Sequence, residues 1–306
     1  MGRTVVFFAV IWISAVVAAG EKAGHPFLVS SYTSGAVYRI EADGAVTVLA
    51  GDARLAQDVW PLPDGKVLYS FADGARIIDP AHENRVVWEF VDKVSKPQET
   101  HSCQPLPDGS VLLCQCGPAR LIEVNAKGEI AKEIKLQTSV TRVHVQFRMA
   151  RRTKEGTYLV CHLQEGKAEE LDASGTLLKT FTAKDRGFNT VHGCVRLANG
   201  NTLLTTGYGG GTFEFDKDGK IVWSFTSQDV PHERRQGRKY CTYAAGVQRL
   251  PDGNTVITYY GGDPMLVEVT PDRKIVWEYS NAELGRIAGQ ARLNREGKPL
   301  PFELER

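Results

Sequence analysis

Short apolar runs of five to seven residues, separated by Gly, Asn and Asp, fill most of this chain, and they recur in groups of four. The clearest group opens with a run over 191–197, turns at Ala198-Asn199-Gly200-Asn201 and returns over 202–206. The loop Gly207-Tyr208-Gly209-Gly210-Gly211 leads to a third run at 212–216, and Lys217-Asp218-Gly219-Lys220 turns the chain into a fourth at 221–225. Asn-Gly and Asp-Gly suit hairpin turns because those positions take positive φ. The pattern predicts four antiparallel strands in 35 residues.

That unit repeats. A turn Gly follows Asp, Glu or Asn at Gly65, Gly109, Gly156, Gly200, Gly253 and Gly297, in the phrases PLPDG, PLPDG, RTKEG, LANG, RLPDG and LNREG, spaced 44, 47, 44, 53 and 44 residues apart. A strand-rich period in the forties predicts an all-β, six-bladed β-propeller, because a four-stranded blade that is apolar on both faces must be sandwiched between neighbours. Complete blades are expected over 57–90, 100–136, 143–181, 191–225 and 245–279. Residues 288–297 resemble a first strand with none following, while the runs at 27–32, 36–41 and 45–49 resemble strands two to four of a blade lacking its first. Joining the two ends completes the sixth blade and removes exposed sheet edges. The propeller is expected to occupy 26–298, followed by a tail at 299–306.

The fourth runs carry Trp88, Trp223 and Trp277, which are expected to fill the wedge between blades. With Asp216 to Trp223 reading Asp-Lys-Asp-Gly-Lys-Ile-Val-Trp, the chain resembles the quinoprotein-like (PQQ-like) propeller superfamily, in which a turn of this Asp, Gly-Lys and Trp kind docks each blade on the next. The resemblance implies the fold. It does not imply the quinone: no quinone-binding constellation is present, and PQQ is not expected.

With 42% hydrophobic residues and a formal net charge of +1, no global field draws the chain to nucleic acid or an anionic membrane, so electrostatic specificity must be local. Arg3, an apolar run at 5–17 and the small residues Val17-Ala18-Ala19-Gly20 read as a signal peptide over 1–20, which predicts a secreted or periplasmic protein with no transmembrane segment after cleavage. The protein is expected to be a monomer. Six Cys in an exported chain could form disulfides, and Cys103 and Cys114 flank one hairpin turn symmetrically; Cys116, Cys161, Cys194 and Cys241 have no assigned partner.

The candidate chemistry follows from the repeat. Counting eight residues back from the turn Gly reaches the start of the innermost strand, and that place holds His101 in blade two and His192 in blade four, with His144 comparable in blade three. Three His from successive blades are expected at one channel mouth, where imidazole can act as acid, base or nucleophile or bind a divalent metal. Arg142 and Arg148 flank His144, Tyr243 opens blade five, and the longest interval contains His232, Arg234 and Arg235 in a loop expected to overhang the same mouth. Such a mouth suits a small or saccharide-type anionic ligand, which Arg can hold bidentately, and a protein partner could dock on the same face. The channel-His pattern also resembles bacterial arylsulfotransferase propellers, which would imply group transfer through His101, His144 and His192. A metal-dependent propeller lyase or hydrolase is the third reading, resting on the clustered His. Binding module and enzyme both remain open.

Overall fold

The computed structural model describes residues 24–93 and 97–300; the expected signal peptide and the end of the expected tail lie outside them. Six antiparallel sheets form six blades, as the spacing predicts. Blade one runs Val59–Pro61, Val67–Phe71, Gly74–Asp79 and Arg85–Val91; blade two, Glu99–Pro105, Val111–Cys116, Arg120–Val124 and Ile130–Lys135. Blade three has Phe147–Arg152, Tyr158–His162, Lys167–Leu171 and Leu177–Phe181; blade four has Gly193–Arg196, Thr202–Thr205, Thr212–Phe215 and Ile221–Phe225. Blade five follows at Tyr243–Arg249, Thr255–Tyr259, Leu266–Val269 and Ile275–Tyr279. Blade six is split between the two ends: Ile287–Arg292 pairs antiparallel with Phe27–Ser31, with Leu28 opposite Ala291, and Ala36–Ile40 and Val46–Ala50 complete it.

The first strand of each blade packs on the first strands of both neighbours, so six short strands ring the axis. Burial explains this order. Second strands such as Val67–Phe71, Val111–Cys116 and Tyr158–His162 are buried throughout, whereas the fourth strands are mostly exposed or half-buried, with Leu178 and Val222 among the exposed residues. Hydrophobic clusters fill the gaps between adjacent blades; Leu106, Leu112, Phe147 and Val160, for example, join blades two and three. Burying apolar area at about 25 cal/mol per Å² drives the blades together but leaves their angle unspecified.

Directional contacts set that angle. An Arg near the end of a first strand reaches back to a Glu on the third strand of the preceding blade: Arg152 to Glu123, Arg196 to Glu170, Arg249 to Glu214 and Arg292 to Glu268. The tryptophans do what their positions predict. Trp88 Nε1 donates to the carbonyl of Asn125 in the next blade at 3.3 Å and Trp223 Nε1 to that of Pro271 at 2.9 Å, while Arg292 lies 4.8 Å over the Trp277 ring.

All six cysteines are buried thiols. The hairpin register explains why Cys103 and Cys114 do not bond: Cys103 faces Leu113 and Cys114 faces Ser102, and a one-residue offset sends the two side chains to opposite faces of the sheet. Among the described residues, no helix is long and apolar enough to cross a membrane.

Candidate functional site

Three local features aim side chains at one end of the axis. His101 sits at a register shift between Thr100 and Ser102, where the extra residue turns its ring toward blade three. His144 lies on a short 3₁₀ turn, Val143–Val145, that leads into the first strand of blade three, and Arg148 is the second residue of that strand. His192 precedes the first strand of blade four, its amide tied to the Thr205 carbonyl at 2.8 Å.

A carboxylate absent from the sequence expectation organises the first two. Glu99 Oε2 lies 2.7 Å from His101 Nε2 and 2.6 Å from His144 Nδ1. On the far sides of the same rings, Arg148 Nη1 is 2.9 Å from His101 Nδ1 and Arg148 Nη2 is 3.2 Å from His144 Nε2. The Phe147 carbonyl also lies 2.9 Å from His101 Nδ1, so the two imidazoles stand as hydrogen-bonding bridges between one carboxylate and one guanidinium. The electrostatics agree. Burial, reinforced by Arg148, holds His101 down to about 4, while burial alone would raise Glu99, but the hydrogen bonds and charges of His101 and His144 hold it well below the usual carboxylate range. His192 is also kept neutral, by burial first and then by Arg148 and His101, and its Nδ1 has no partner.

Above this cluster opens a cavity of about 550 Å³. Arg148 and His192 form part of its floor with Gln57, whose buried Nε2 has no hydrogen-bond partner. Tyr32, Tyr208, Tyr243 and Tyr260 stand around it, and Arg142, Lys239 and Arg286 supply further positive charge. Burial pushes the Tyr243 hydroxyl up to about 12, so it stays a proton donor at neutral pH.

The sequence-predicted residues therefore divide. His144, His192, Arg142, Arg148 and Tyr243 line the cavity, and His101 lies directly beneath it. The loop after blade four forms a short helix, His232–Arg235, and does not bring His232, Arg234 or Arg235 to the lining. Its charges are captured elsewhere: Arg234 and Arg238 each lie 2.7 Å from a Glu278 oxygen on the outer strand of blade five, and Tyr240 bonds the same carboxylate. Only Lys239 and Thr242 from that segment reach the mouth. The three-His metal set is likewise recast, because the compact group is Glu99, His101 and His144, whose ligand atoms lie within 4.8 Å of one another. One carboxylate and two imidazoles are suitable donors for a divalent ion such as zinc. Their hydrogen bonds nonetheless close on one another, and an ion there would sit beside the Arg148 guanidinium.

Glu99 and Gln57 had a readable signal, since Gln57 occupies the same repeat position as His101 and Glu99 is two residues away. Tyr32, Tyr208 and Tyr260 follow the second strands of their blades, but only the fold aims those loops at the mouth, and Lys239 and Arg286 lie in links between blades. The loop carrying Tyr208 shows why: Gly207–Tyr208 leaves blade four and pairs with the first strand of blade five. Gly210 holds it there with φ +66°, and a Cβ at that position would come 2.0 Å from the Cys241 carbonyl oxygen. Gly210→Ala is expected to cost more than the ~1–2 kcal/mol of a left-handed residue and to displace Tyr208, measurable by urea unfolding and by increased proteolysis at 207–211.

No family model matches the chain, and no curated protein matches it in sequence. Among solved structures, a protein of unknown function from Bacteroides caccae is similar, with 24% identity, a TM-score of 0.74 and coverage of 88% of this chain and 98% of that one. A catalytically inactive His-to-Ala variant of virginiamycin B lyase from Staphylococcus aureus, solved with quinupristin, matches with 13% identity and a TM-score of 0.60 over 87% of each chain. A chain of the nidogen/laminin complex matches with 10% identity and a TM-score of 0.62, over 87% of this chain and 97% of that one. Likeness at these identities extends to architecture alone, and by architecture this chain is a six-bladed β-propeller.

Proposed function

We propose that this protein is an exported propeller that binds a small anionic ligand at the channel mouth, with Arg148 as its central anchor. One observation carries the reading: Arg148 is only 5% exposed yet, among the described residues, makes no ion pair with a carboxylate, and neither do Arg142, Lys239 or Arg286 around the same cavity. Glu99 reaches Arg148 only through two imidazoles. A buried guanidinium is costly without a direct anionic partner, and a bound anion supplies one. Thermal denaturation at neutral pH and constant ionic strength tests this. Acetate, sulfate or phosphate should raise Tm above the chloride control, by the stabilisation of roughly 2.7 kcal/mol expected at a hundredfold excess over Kd. Arg148→Gln should abolish the anion-dependent part whatever its own baseline Tm, and an unchanged increment in that variant would refute the reading.

Group-transfer or elimination chemistry is the second reading, favoured by the neutral His192, which lines the cavity and whose buried Nδ1 has no partner among the described residues. In an arylsulfotransferase-like enzyme that nitrogen would be the nucleophile and Arg148 would stabilise the transferring anion. The virginiamycin B lyase neighbour keeps a lyase within this reading, and if a divalent ion takes part, Glu99, His101 and His144 would hold it and it would act as a Lewis acid. Turnover of an aryl sulfate with a phenol acceptor, lost in His192→Ala, would support transfer over binding alone. Membership of the quinoprotein-like superfamily belongs to the same proposal and is supported by the Trp88 and Trp223 docking bonds.

A further inference from the structure

The rim of the cavity has a chemistry of its own. Tyr208 packs edge-to-face on Tyr243 with ring centroids 4.8 Å apart, Tyr243 lies 5.5 Å from Tyr260, and Tyr260 lies 5.8 Å from Tyr32 at 76°. The series ends on the His144 ring, 5.9 Å from Tyr32. These rings come from blades four, five and six, and none belongs to an interblade core; Tyr208 is 67% exposed and the others are half-buried. Tyr32, Tyr208 and Tyr260 each follow the second strand of their blade and Tyr243 opens a first strand, and together they present aromatic edges and faces to a cavity whose size suits an organic ligand, pockets of about 300–1,000 Å³ being typical. A bare inorganic ion would leave that arc untouched.

The floor is specific too. Nη1 of Arg148 is engaged by the carbonyls of His144 and Phe147 and by His101, and Nη2 gives one hydrogen to His144 Nε2. Among the described residues, no carbonyl or carboxylate takes Nε or the second Nη2 hydrogen, and the Tyr243 hydroxyl hydrogen-bonds the same guanidinium. That edge is the one that takes a planar carboxylate bidentately, with Gln57 Nε2 and His192 Nδ1 also unpartnered nearby.

We propose that the ligand is a carboxylate borne on an aromatic ring, its acid on the edge of Arg148 that no carboxylate occupies, beside the Tyr243 hydroxyl, and its ring continuing the series of the tyrosine arc. This rests on the anion reading above and narrows it. The ring-to-ring contacts add affinity that a saturated ring of similar size cannot gain.

Calorimetric titration of the whole protein with phenylacetate, cyclohexylacetate and acetate at pH 7 separates the two claims. Phenylacetate should bind roughly tenfold more tightly than cyclohexylacetate, and acetate more weakly than either. Tyr260→Leu and the exposed Tyr208→Ala should each shrink the phenylacetate-to-cyclohexylacetate ratio, and Arg148→Gln should weaken both acids. Equal affinities for the two ring acids, or a ratio unmoved in both tyrosine variants, would overturn the aromatic assignment while leaving the anion site standing. No binding by any of the three acids overturns the aromatic assignment, and anion-dependent thermal shifts with sulfate or phosphate then decide whether the anion reading falls with it.

Discussion

Lowering the pH from 7 toward 4 is expected to cost the folded protein several kcal/mol, with His101 and His192 responsible for most of it. His101 titrates near 6.5 when exposed and is held down to about 4 in the fold by burial and by Arg148. The unfolded chain therefore takes up its proton first. Above pH 6.5 the group contributes nothing to the pH dependence; between 6.5 and about 4 stability falls, and the full difference is roughly 3 kcal/mol at about 1.36 kcal/mol per unit. His192 is shifted well below its ordinary value with the same sign, so its contribution is lost over the same descent. Glu99 acts lower: its depressed carboxylate stabilises the fold above its unfolded value of 4.5 and loses that contribution as pH falls through the folded one. Urea unfolding at pH 7, 6, 5 and 4.5 reads this directly as proton uptake on unfolding. A stability curve flat across that range would sink the assignment of neutral imidazoles, and His192→Gln should make the slope shallower than in the natural protein.

Replacing Asp58 by Ala should produce the largest single loss of stability, about 3–5 kcal/mol. Asp58 and Arg151 are 2% and 4% exposed, and their pair joins three blades at the axis. Asp58 Oδ2 accepts from Arg151 Nη1 at 2.8 Å and from the Cys103 amide at 3.2 Å, while Oδ1 accepts from Arg151 Nη2 at 3.2 Å and from the Val59 amide at 3.1 Å. Arg151 lies 5.0 Å over the Trp60 ring, and Trp60 Nε1 donates to the Cys103 carbonyl at 2.6 Å. Losing the carboxylate removes an acceptor from a buried guanidinium and from two buried amides at once. Asp58→Leu combined with Arg151→Met should recover much of the loss, since apolar groups of similar volume avoid the desolvation cost. A loss below 1 kcal/mol for Asp58→Ala would mean that the pair behaves as a solvated surface contact.

Neither network could be read from the repeat with equal ease. The histidine ring was visible because His101 and His192 hold one register position, and a propeller converts register into proximity. Arg234 and Arg235 were misplaced by the same reasoning, because a loop's point of departure does not say which carboxylate will capture its charges, and here Glu278 holds Arg234 and Arg238 on the outer strand. Cys103 and Cys114 looked symmetric about their turn, yet hairpin pairing offsets them by one residue and separates their side chains.

The chain by itself determined the all-β class, the blade count, the division of blade six between the two ends and the packing role of the tryptophans. These follow from periodicity, which is a local property of the sequence repeated six times. Only the tertiary structure decided that Glu99 bridges two imidazoles, that Arg148 meets them from the other side, and that four tyrosines from three blades close into an arc. The physical reason is that these groups are far apart in sequence and come together only when the ring closes, so hydrogen-bond geometry and burial, rather than spacing, select them.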